Sequence, residues 1–364
     1  MIRTFAEVLD ICNGRNQKKV ENPNGKYPIY GSGGIMGYAD EFICPNNTVL
    51  IGRKGSINNP IFVDTPLWNV DTAFGLVAKQ GVLLPKYLYY FCVHFDFEKL
   101  NTTVTIPSLT KANLLKIQMP VPDVSEQRTI VSTLDKLQSI ITHRKQQLLK
   151  LDELVKARFV EMFGTMPQNE KGWETGKIRD IVSEVRYGSS RKAAEGDSGR
   201  YPYLRMNNIT YGGELDLTDT KTIDVPEDEL PKCSVKRGDV LFNRTNSREL
   251  VGKTCVYNRD ELMVLAGFVV RVRVNEKVTP EFLSAFLNTD FSKRMLLSMC
   301  KEAIGQANIN AQELQGIAIY IPPLELQKQF TEFLERINKS KVAVQKALDE
   351  AQLLFDSLMQ EYFG

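Results

Sequence analysis

The side chains best suited to chemistry in this sequence are arginines, lysines, asparagines and serines in short polar segments that follow apolar runs. After the apolar residues 49–51 come Arg53, Lys54, Ser56 and Asn58. A guanidinium group can donate a forked pair of hydrogen bonds to guanine, and a carboxamide can pair with adenine. The same residue types also favour turns for conformational reasons alone. The pattern therefore indicates either contact with nucleic acid or ordinary turns.

The second half of the chain repeats this pattern with more basic residues. They are grouped at 186–205 and at 232–253, each group against two acids. Two further polar residues, at 306 and 308, precede a short helix that Asn310 and Glu313 are expected to cap. The candidate DNA contacts of this half are Arg191, Lys192, Arg205, Asn207, Asn208, Arg244, Asn246, Ser247, Arg248, Lys253, Gln306 and Asn308.

Signatures of catalysis fail when they are checked residue by residue. The segment Gly252-Lys253-Thr254 resembles the end of a phosphate-binding loop, but Ser247 stands where that loop requires glycine. Residues 58–61 approach the Asn-Pro-Pro-aromatic motif of amino-methyltransferases without its second proline or its aromatic residue. Neither a Gly-x-Ser-x-Gly nor a His-Glu-x-x-His motif occurs. The sequence thus favours a binding protein without catalytic residues or a cofactor of its own.

Metal sites and disulfides are also disfavoured. The two histidines, His94 and His143, lie apart, and the six cysteines include no Cys-x-x-Cys pair. Reduced cysteines fit the cytoplasm. The apolar runs are too short to span a bilayer, and the first residues lack a signal core. We expect a cytoplasmic protein with no bound metal and no membrane partner.

Length and charge limit the kinds of DNA binding that are possible. The chain has 364 residues, of which 43% are hydrophobic and 25% are charged, so folded domains are expected, and more than one. The net charge is only +2, whereas proteins that coat nucleic acid indiscriminately are strongly basic. Any DNA binding must therefore come from local patches.

The chain contains an internal repeat. Residues 105–164 align with residues 305–364 at a constant offset of 200, so that Phe163 aligns with Phe363 and Gln127 aligns with Gln327. Upstream the similarity is weaker, although Tyr27 still answers Tyr201. The repeated unit is a globular module followed by a helix, used twice.

Each repeat ends in a long amphipathic segment with apolar residues at alternating spacings of four and three. That period predicts a coiled coil of helices of about 40 residues, roughly 60 Å long. Pro122 and Pro322 precede the helices, Ser125 is suited to cap the first, and Gly164 closes it. Two ordinary long helices of an all-α domain are the alternative. The predicted seam comprises Ile130, Leu134, Leu137, Ile141, Leu148, Leu151, Val155, Phe330, Leu334, Ile337, Val344, Leu348, Phe355 and Leu358, with Arg144, Arg158 and Lys341 as polar exceptions.

Ahead of each long helix lie short alternating segments rich in β-branched residues and separated by Gly and Asn clusters, which predict strands and turns. Helical spacing follows at 87–100 and at 282–299. The fold class is therefore α+β, with modules at 1–122 and 165–322 and long helices at 123–164 and 323–364.

Three segments resemble the specificity subunit of type I restriction-modification systems. They are residues 201–209, residues 238–253, and the entry to the last helix at 321–327, which is mirrored at 121–127. The resemblance covers essentially the whole chain. It implies two target recognition domains joined by two long helices that pack as an antiparallel coiled coil with pseudo-twofold symmetry.

The resemblance implies a mechanism as well. Each domain is expected to read one half-site of an asymmetric, bipartite target in the major groove, with half-sites about one helical turn, ~34–36 Å, apart. The pair of helices would set the unspecified gap. The first module is about 36 residues shorter than the second, so we expect fewer contacts with its half-site.

The chemistry is expected to reside in partners. The resemblance implies two modification subunits, which bind S-adenosylmethionine, and two restriction subunits, which use ATP and Mg²⁺. Two alternatives remain open at this point. One is a coiled-coil scaffold that binds no DNA, and the other is a methyltransferase in its own right, which the missing cofactor loop disfavours.

Overall fold

The computed structural model describes residues 1–100, 108–196, 198–300 and 307–364. The helices of the described residues are α1 Phe5–Val8, α2 Pro85–His94, α3 Lys111–Leu114, α4 Val124–Phe163, α5 Leu230–Cys233, α6 Pro280–Leu287, α7 Asp290–Met299, α8 Ala311–Gln315 and α9 Leu324–Phe363. Short 3-10 helices lie at Phe97–Leu100, Ile178–Asp180 and Met206–Asn208.

The strands fall into two groups, one ahead of each long helix. The first group is β1 Ile2–Thr4, β2 Leu9–Asn13, β3 Tyr27–Gly31, β4 Gly34–Ala39, β5 Thr48–Gly52, β6 Ile61–Val63, β7 Trp68–Asn69, β8 Ala73–Ala78 and β9 Gln118–Pro120. The second group is β10 Glu174–Lys177, β11 Val182–Tyr187, β12 Tyr201–Leu204, β13 Lys221–Ile223, β14 Ser234–Val235, β15 Val240–Asn243, β16 Thr245–Asn246, β17 Thr254–Val256, β18 Met263–Leu265, β19 Val269–Val274, β20 Ala307–Asn308 and β21 Ala318–Ile321.

The chain forms two compact units. The first comprises Met1–Gln146 with Gln345–Gly364, and the second comprises Gln147–Val344. Each unit therefore contains one α+β domain, the first or second part of α4, and the opposite part of α9.

The sheets of the two units share one pairing order, except that the smaller sheet of the second unit has an additional strand, β14. In the first unit the order is β2-β8-β5-β6, beside a smaller sheet β4-β3-β7 in which β3 and β7 are parallel. In the second unit the corresponding sheets are β11-β19-β15-β17 and β13-β12-β18-β14, with β12 and β18 parallel. The α+β class and the internal duplication are thereby confirmed.

The two long helices have the length that the coiled-coil period predicts. Helices α4 and α9 each span 40 residues. The expected cap of α4 is wrong by two residues. Ser125 lies inside the helix, and the carboxylate of Asp123 accepts the hydrogen bond from the Glu126 N–H at 2.9 Å. A carboxylate also suits the positive end of the helix dipole better than a hydroxyl group does.

Within the second unit the parts of α4 and α9 run antiparallel. Phe159 packs against Phe330 with ring centroids 5.5 Å apart, and Asp152, earlier in α4, forms an ion pair with Lys341, later in α9. Lys341 is the polar exception of the predicted seam on α9, and it also reaches Glu214 of the domain at 2.5 Å. Burial opposes the charge of Lys341, but the two carboxylates raise its pKa above the ordinary value.

Within the first unit the helices are also antiparallel. The ring of Tyr90 in α2 lies 6.2 Å from that of Phe355, and its hydroxyl group donates to Asp135 at 2.7 Å. Nearer the start of α4 and the end of α9, Ile130 and Tyr362 line one cavity. All predicted seam residues of both helices are buried or half-buried.

Each domain is anchored on the last phenylalanine of one long helix. In the second unit the ring of Phe163 lies 5.0 Å from Phe282 and 5.4 Å from Phe330. In the first unit the ring of Phe363 lies 5.1 Å from Tyr87. Aromatic rings bury large apolar areas and favour edge-to-face packing, so these contacts help to stabilise each core.

Each domain is also joined to the first turn of the other long helix by a buried glutamine. Gln127 donates to the carbonyl groups of Val82 and Pro122 at 2.9 Å each, and it accepts from the Leu84 N–H at 2.8 Å. Gln327 makes the same three bonds, to Lys277, Pro322 and Thr279. Both side chains are fully buried.

The second domain contains a buried ion network that connects its two sheets. Arg271 is 1% exposed, pairs with Glu184 at 2.8 Å, and donates to the carbonyl group of Ser234 in β14. Arg273 bridges Glu184 and Asp239 at 2.8 Å each. Burial would raise the pKa of Glu184, but the two guanidinium groups lower it overall, so the carboxylate stays charged.

Replacement of Gln327 by leucine should destabilise the second unit. The variant leaves an N–H group and two carbonyl groups buried without partners, and each such loss costs about 1–3 kcal/mol. We expect a lower urea midpoint for Gln327→Leu in chemical unfolding followed by circular dichroism. The exposed Gln329→Leu on the same helix is the matched control. Equal midpoints for the two variants would contradict the role given to Gln327.

Candidate nucleic-acid interface

In the first domain, the residue after β5 is held rigidly at the backbone while its side chain faces solvent. The N–H of Arg53 donates to the carbonyl group of Thr72 at 2.7 Å, and its carbonyl group accepts from Leu109 at 2.9 Å. Its guanidinium group lies 5.6 Å from the ring of Phe74. Arg53 and the next residue, Lys54, are exposed. The backbone is thus fixed, and the two charges are free to reach a ligand.

The second domain builds the same backbone arrangement around Arg244, after β15, although the side chain of Arg244 is half-buried. The N–H of Arg244 donates to Phe268 at 3.0 Å, and its carbonyl group accepts from Ile309 at 2.9 Å. Its guanidinium group lies 4.9 Å from the ring of Tyr187 and donates to Gly267 at 3.2 Å. Arg53 and Arg244 are therefore structural equivalents, because Leu109 and Ile309 are related by the repeat offset of 200.

A second loop in each domain follows a glycine that the backbone requires. A Cβ at Gly188 would lie 2.3 Å from the carbonyl oxygen of Leu265, and a Cβ at Gly14 would lie 1.8 Å from that of Val70. No other residue can be accommodated at such distances. These glycines bring the ends of β2 and β11 against the parallel pairs of the smaller sheets, so the basic residues that follow each glycine lie near those strand ends.

The basic loop after Gly14 adds candidate residues that were not singled out from the sequence. Arg15, Lys18 and Lys19 are exposed. The backbone N–H of Arg15 donates to Asn69 at 3.0 Å, which places the loop beside the end of β7. The available signal was the offset of 174 that relates Gly14 to Gly188 and also Tyr27 to Tyr201.

Among the other first-domain candidates, Ser56 is exposed in the same loop as Arg53. The side chain of Asn58 is engaged within the protein. It donates to Asp96 at 2.9 Å and accepts from the Phe97 N–H at 2.7 Å. The structure therefore gives Asn58 a role in holding the loop.

In the turn after β12, two neighbouring asparagines differ in exposure. Asn208 is 1% exposed, accepts from the Arg205 N–H at 2.8 Å, and donates to the carbonyl group of Asp216 at 2.8 Å. Asn207 is exposed. The guanidinium group of Arg205 pairs with Asp219 at 2.8 Å. Asn208 thus supports the turn, and Asn207 is the carboxamide that faces outward.

Lys253 also lies inside the protein. It is 6% exposed, and its ammonium group donates to the carbonyl group of Met206 at 2.8 Å. Burial lowers the pKa of this lysine. Lys253 therefore holds the turn that carries Asn207 by a hydrogen bond from the protein interior.

The remaining candidates of the second domain differ in exposure. Lys192, Ser247, Arg248 and Asn308 are exposed, and Asn246 is half-buried. Arg191 is exposed and forms a bidentate pair with Glu229, which raises the pKa of the arginine. Asn308 accepts from Thr245 at 2.9 Å, so β20 is tied to the loop of Arg244. Gln306 lies outside the described residues.

The capping box predicted at Asn310 is confirmed. Its carboxamide accepts from Gln312 and Glu313, and the Glu313 carboxylate accepts from the Asn310 N–H. The start of α8 is therefore fixed directly after β20.

Other kinds of site find no support in the part of the chain that the structure describes. Its histidine, cysteine and acidic residues form no group of three that could hold a metal ion. None of its helices combines the length and apolar character needed to cross a bilayer.

The chain is thus a duplicated α+β protein with equivalent arginine loops, one in each domain. A family model described as "Type I restriction modification DNA specificity domain" matches residues 1–151 and 170–351. The chain belongs to this family, as the sequence resemblance predicted.

Individual relatives support the same assignment. The chain is 22% identical over 315 residues to the EcoKI specificity subunit of Escherichia coli K12, covering 80% of this chain and 67% of that protein. It is 26% identical over 342 residues to the MjaVIII specificity subunit of Methanocaldococcus jannaschii, covering 84% and 77% respectively.

A solved structure has the same fold. The S subunit of a type I restriction-modification system from M. genitalium superposes with a TM-score of 0.64 at 16% identity, covering 100% of this chain and 96% of that chain.

The two neighbouring asparagines provide a test of the site geometry. Asn208→Ala leaves a backbone N–H and carbonyl groups without partners and should lower the free energy of unfolding by about 1–3 kcal/mol. Asn207→Ala should leave stability unchanged, because its side chain is exposed. Thermal unfolding of the two variants measures the difference. Equal melting temperatures would show that the turn is not held by Asn208.

Proposed function

We propose that this chain is the DNA-recognition subunit of a type I restriction-modification enzyme and reads an asymmetric bipartite target, one half-site per domain. The observation that carries the proposal is the equivalence of Arg53 and Arg244. Each arginine follows a buried central strand, makes the same two backbone bonds, and belongs to a different domain. A protein built to read two half-sites needs such a pair.

The side chains around the two arginines support an asymmetric target. In the first domain the neighbours are Lys54 and Ser56, whereas in the second they are Asn246, Ser247 and Arg248. Arginine and lysine favour guanine, and asparagine favours adenine. Two domains with the same backbone and different loop residues would therefore read different bases.

The glycine-led basic loops suit a second task, which is to bind phosphates. Arg15, Lys18 and Lys19 in the first domain and Lys192 in the second are exposed in these loops. Contacts with phosphates position a protein on DNA without reading its sequence. These local charges allow DNA binding although the net charge is only +2.

The proposal assigns the chemistry to partners. As a specificity subunit, the chain would assemble with modification and restriction subunits, two of each, and with double-stranded DNA. S-adenosylmethionine, ATP and Mg²⁺ would be held by those subunits, and this chain would be non-catalytic. The assignment of the unspecified gap to the long helices stays a prediction.

Arg244→Ala should weaken specific binding by about 1–3 kcal/mol and relax one base of one half-site. Arg53→Ala should do the same to the other half-site. The measurement is sequencing of methylated bases in cells that express the assembled enzyme. Arg237→Ala is the matched control, because Arg237 precedes β15 whereas Arg244 follows it, and it pairs with Asp260 at an exposed site.

Two results would contradict the proposal. An unchanged motif at unchanged strength for Arg244→Ala would remove this arginine from base recognition. If Arg53→Ala and Arg244→Ala both relaxed the sequence requirement of the same half-site, the assignment of one half-site to each domain would be refuted.

The basic loop of the first domain should act differently. The triple variant Arg15→Ala, Lys18→Ala, Lys19→Ala should weaken binding to target and random duplexes by a similar factor, and the methylated motif should be unchanged. The slope of log affinity against log salt should fall by about 3 if each residue neutralises one phosphate. A protein that acts only as a scaffold would show no salt-dependent DNA binding, and an unaltered slope would exclude this loop from the interface.

A further inference from the structure

An exposed phenylalanine stands beside the arginine of the second domain. Phe268 is 50% exposed and lies at the tip of a tight turn between β18 and β19, closed by a hydrogen bond from the Val269 N–H to Ala266 at 2.9 Å. A half-exposed phenyl ring on a short turn forgoes much of the stabilisation that burial gives, and it leaves an apolar face beside Arg244 that a ligand can cover.

The turn that carries Phe268 is rigid. The N–H of Gly267 donates to Ser189 at 2.7 Å, and the carbonyl group of Phe268 accepts from the N–H of Arg244 at 3.0 Å. The guanidinium group of Arg244 donates to the neighbouring carbonyl group, that of Gly267, at 3.2 Å. The backbones of Phe268 and Arg244 therefore bond to each other directly, and the spacing of the two residues is fixed.

The chemistry of the major groove offers an apolar group for such a ring. Guanine presents two acceptors to an arginine, and thymine presents its C5 methyl group, which apolar side chains contact. A rigid pair of one guanidinium group and one phenyl ring matches a base pair read by hydrogen bonds next to a base pair read by its methyl group.

We propose that Phe268 packs against the C5 methyl group of a thymine in the half-site of the second domain, next to the base contacted by Arg244. It is then a specificity-determining residue. The inference rests on the proposed function. In the first domain, the carbonyl group that accepts from Arg53 belongs to Thr72, as that of Phe268 accepts from Arg244. Thr72 is a small, half-buried residue, so the first domain has no large apolar side chain at this position.

The test uses the chain assembled with its modification subunits and a duplex of the target defined by methylation mapping. Each thymine of the second half-site is replaced in turn by deoxyuridine, which lacks only the methyl group. One position should lose about fourfold in affinity, the value of one buried methyl group.

Phe268→Ala should bind the thymine duplex more weakly and should not distinguish it from the uracil duplex at that position. Leu250→Ala, at another exposed apolar residue of this domain, should still distinguish them.

The inference is overturned by a half-site without thymine, by a wild-type complex indifferent to every uracil, or by a Phe268→Ala complex that remains as sensitive as wild type. In a target duplex labelled with 2-aminopurine, an increase in fluorescence that depends on Phe268 would indicate that the ring enters between base pairs. That result would also overturn the inference. If the wild-type complex binds target and random duplex equally, the proposed function fails. Specific binding with indifference to uracil refutes only the role of Phe268.

Discussion

The structure depends on one constraint: each domain is completed by both long helices. The buried glutamine at the start of one helix bonds to backbone groups of the domain, and the phenylalanine at the end of the other helix fills its aromatic core. In the second unit these are Gln327 and Phe163, and in the first they are Gln127 and Phe363. Because each domain needs both helices, a stable domain implies an antiparallel helix pair beside it, and both units satisfy this requirement with the same residue types.

The positions of the candidate recognition loops depend on the same helices and strands. The helices fix one side of each domain, and close contacts such as that of Gly188 with Leu265 fix the ends of the strands. Arg244 is then held by two backbone bonds, so loop side chains can vary without moving the backbone. Two domains whose sheets share a pairing order therefore carry different residues in equivalent loops, Lys54 in one and Asn246 in the other.

The periodic features were predictable from the sequence, whereas individual contacts were not. The spacing predicted the two long helices and their apolar seam, because residues repeating every 3.5 positions fall on one face of a helix. Exposure could not be read from residue type. Asn207 and Asn208 are adjacent and identical, yet only Asn208 is buried, since the turn aims one carboxamide inward. Lys253 was predicted as a DNA contact from its charge, yet it is buried, because the carbonyl group of Met206 accepts a hydrogen bond from its ammonium group. The loop after Gly14 was missed because its repeat lies at an offset of 174 and not 200.

The central claim is that the equivalent loops of the two domains contact different half-sites. Site-specific cross-linking tests it most directly, with a photoreactive residue at Lys54 or at Asn246 in the complex assembled with modification subunits on its mapped target. The account predicts that Lys54 variants cross-link to bases of one half-site and Asn246 variants to bases of the other. Cross-links from both positions to the same half-site, or only to the unspecified gap, would contradict it.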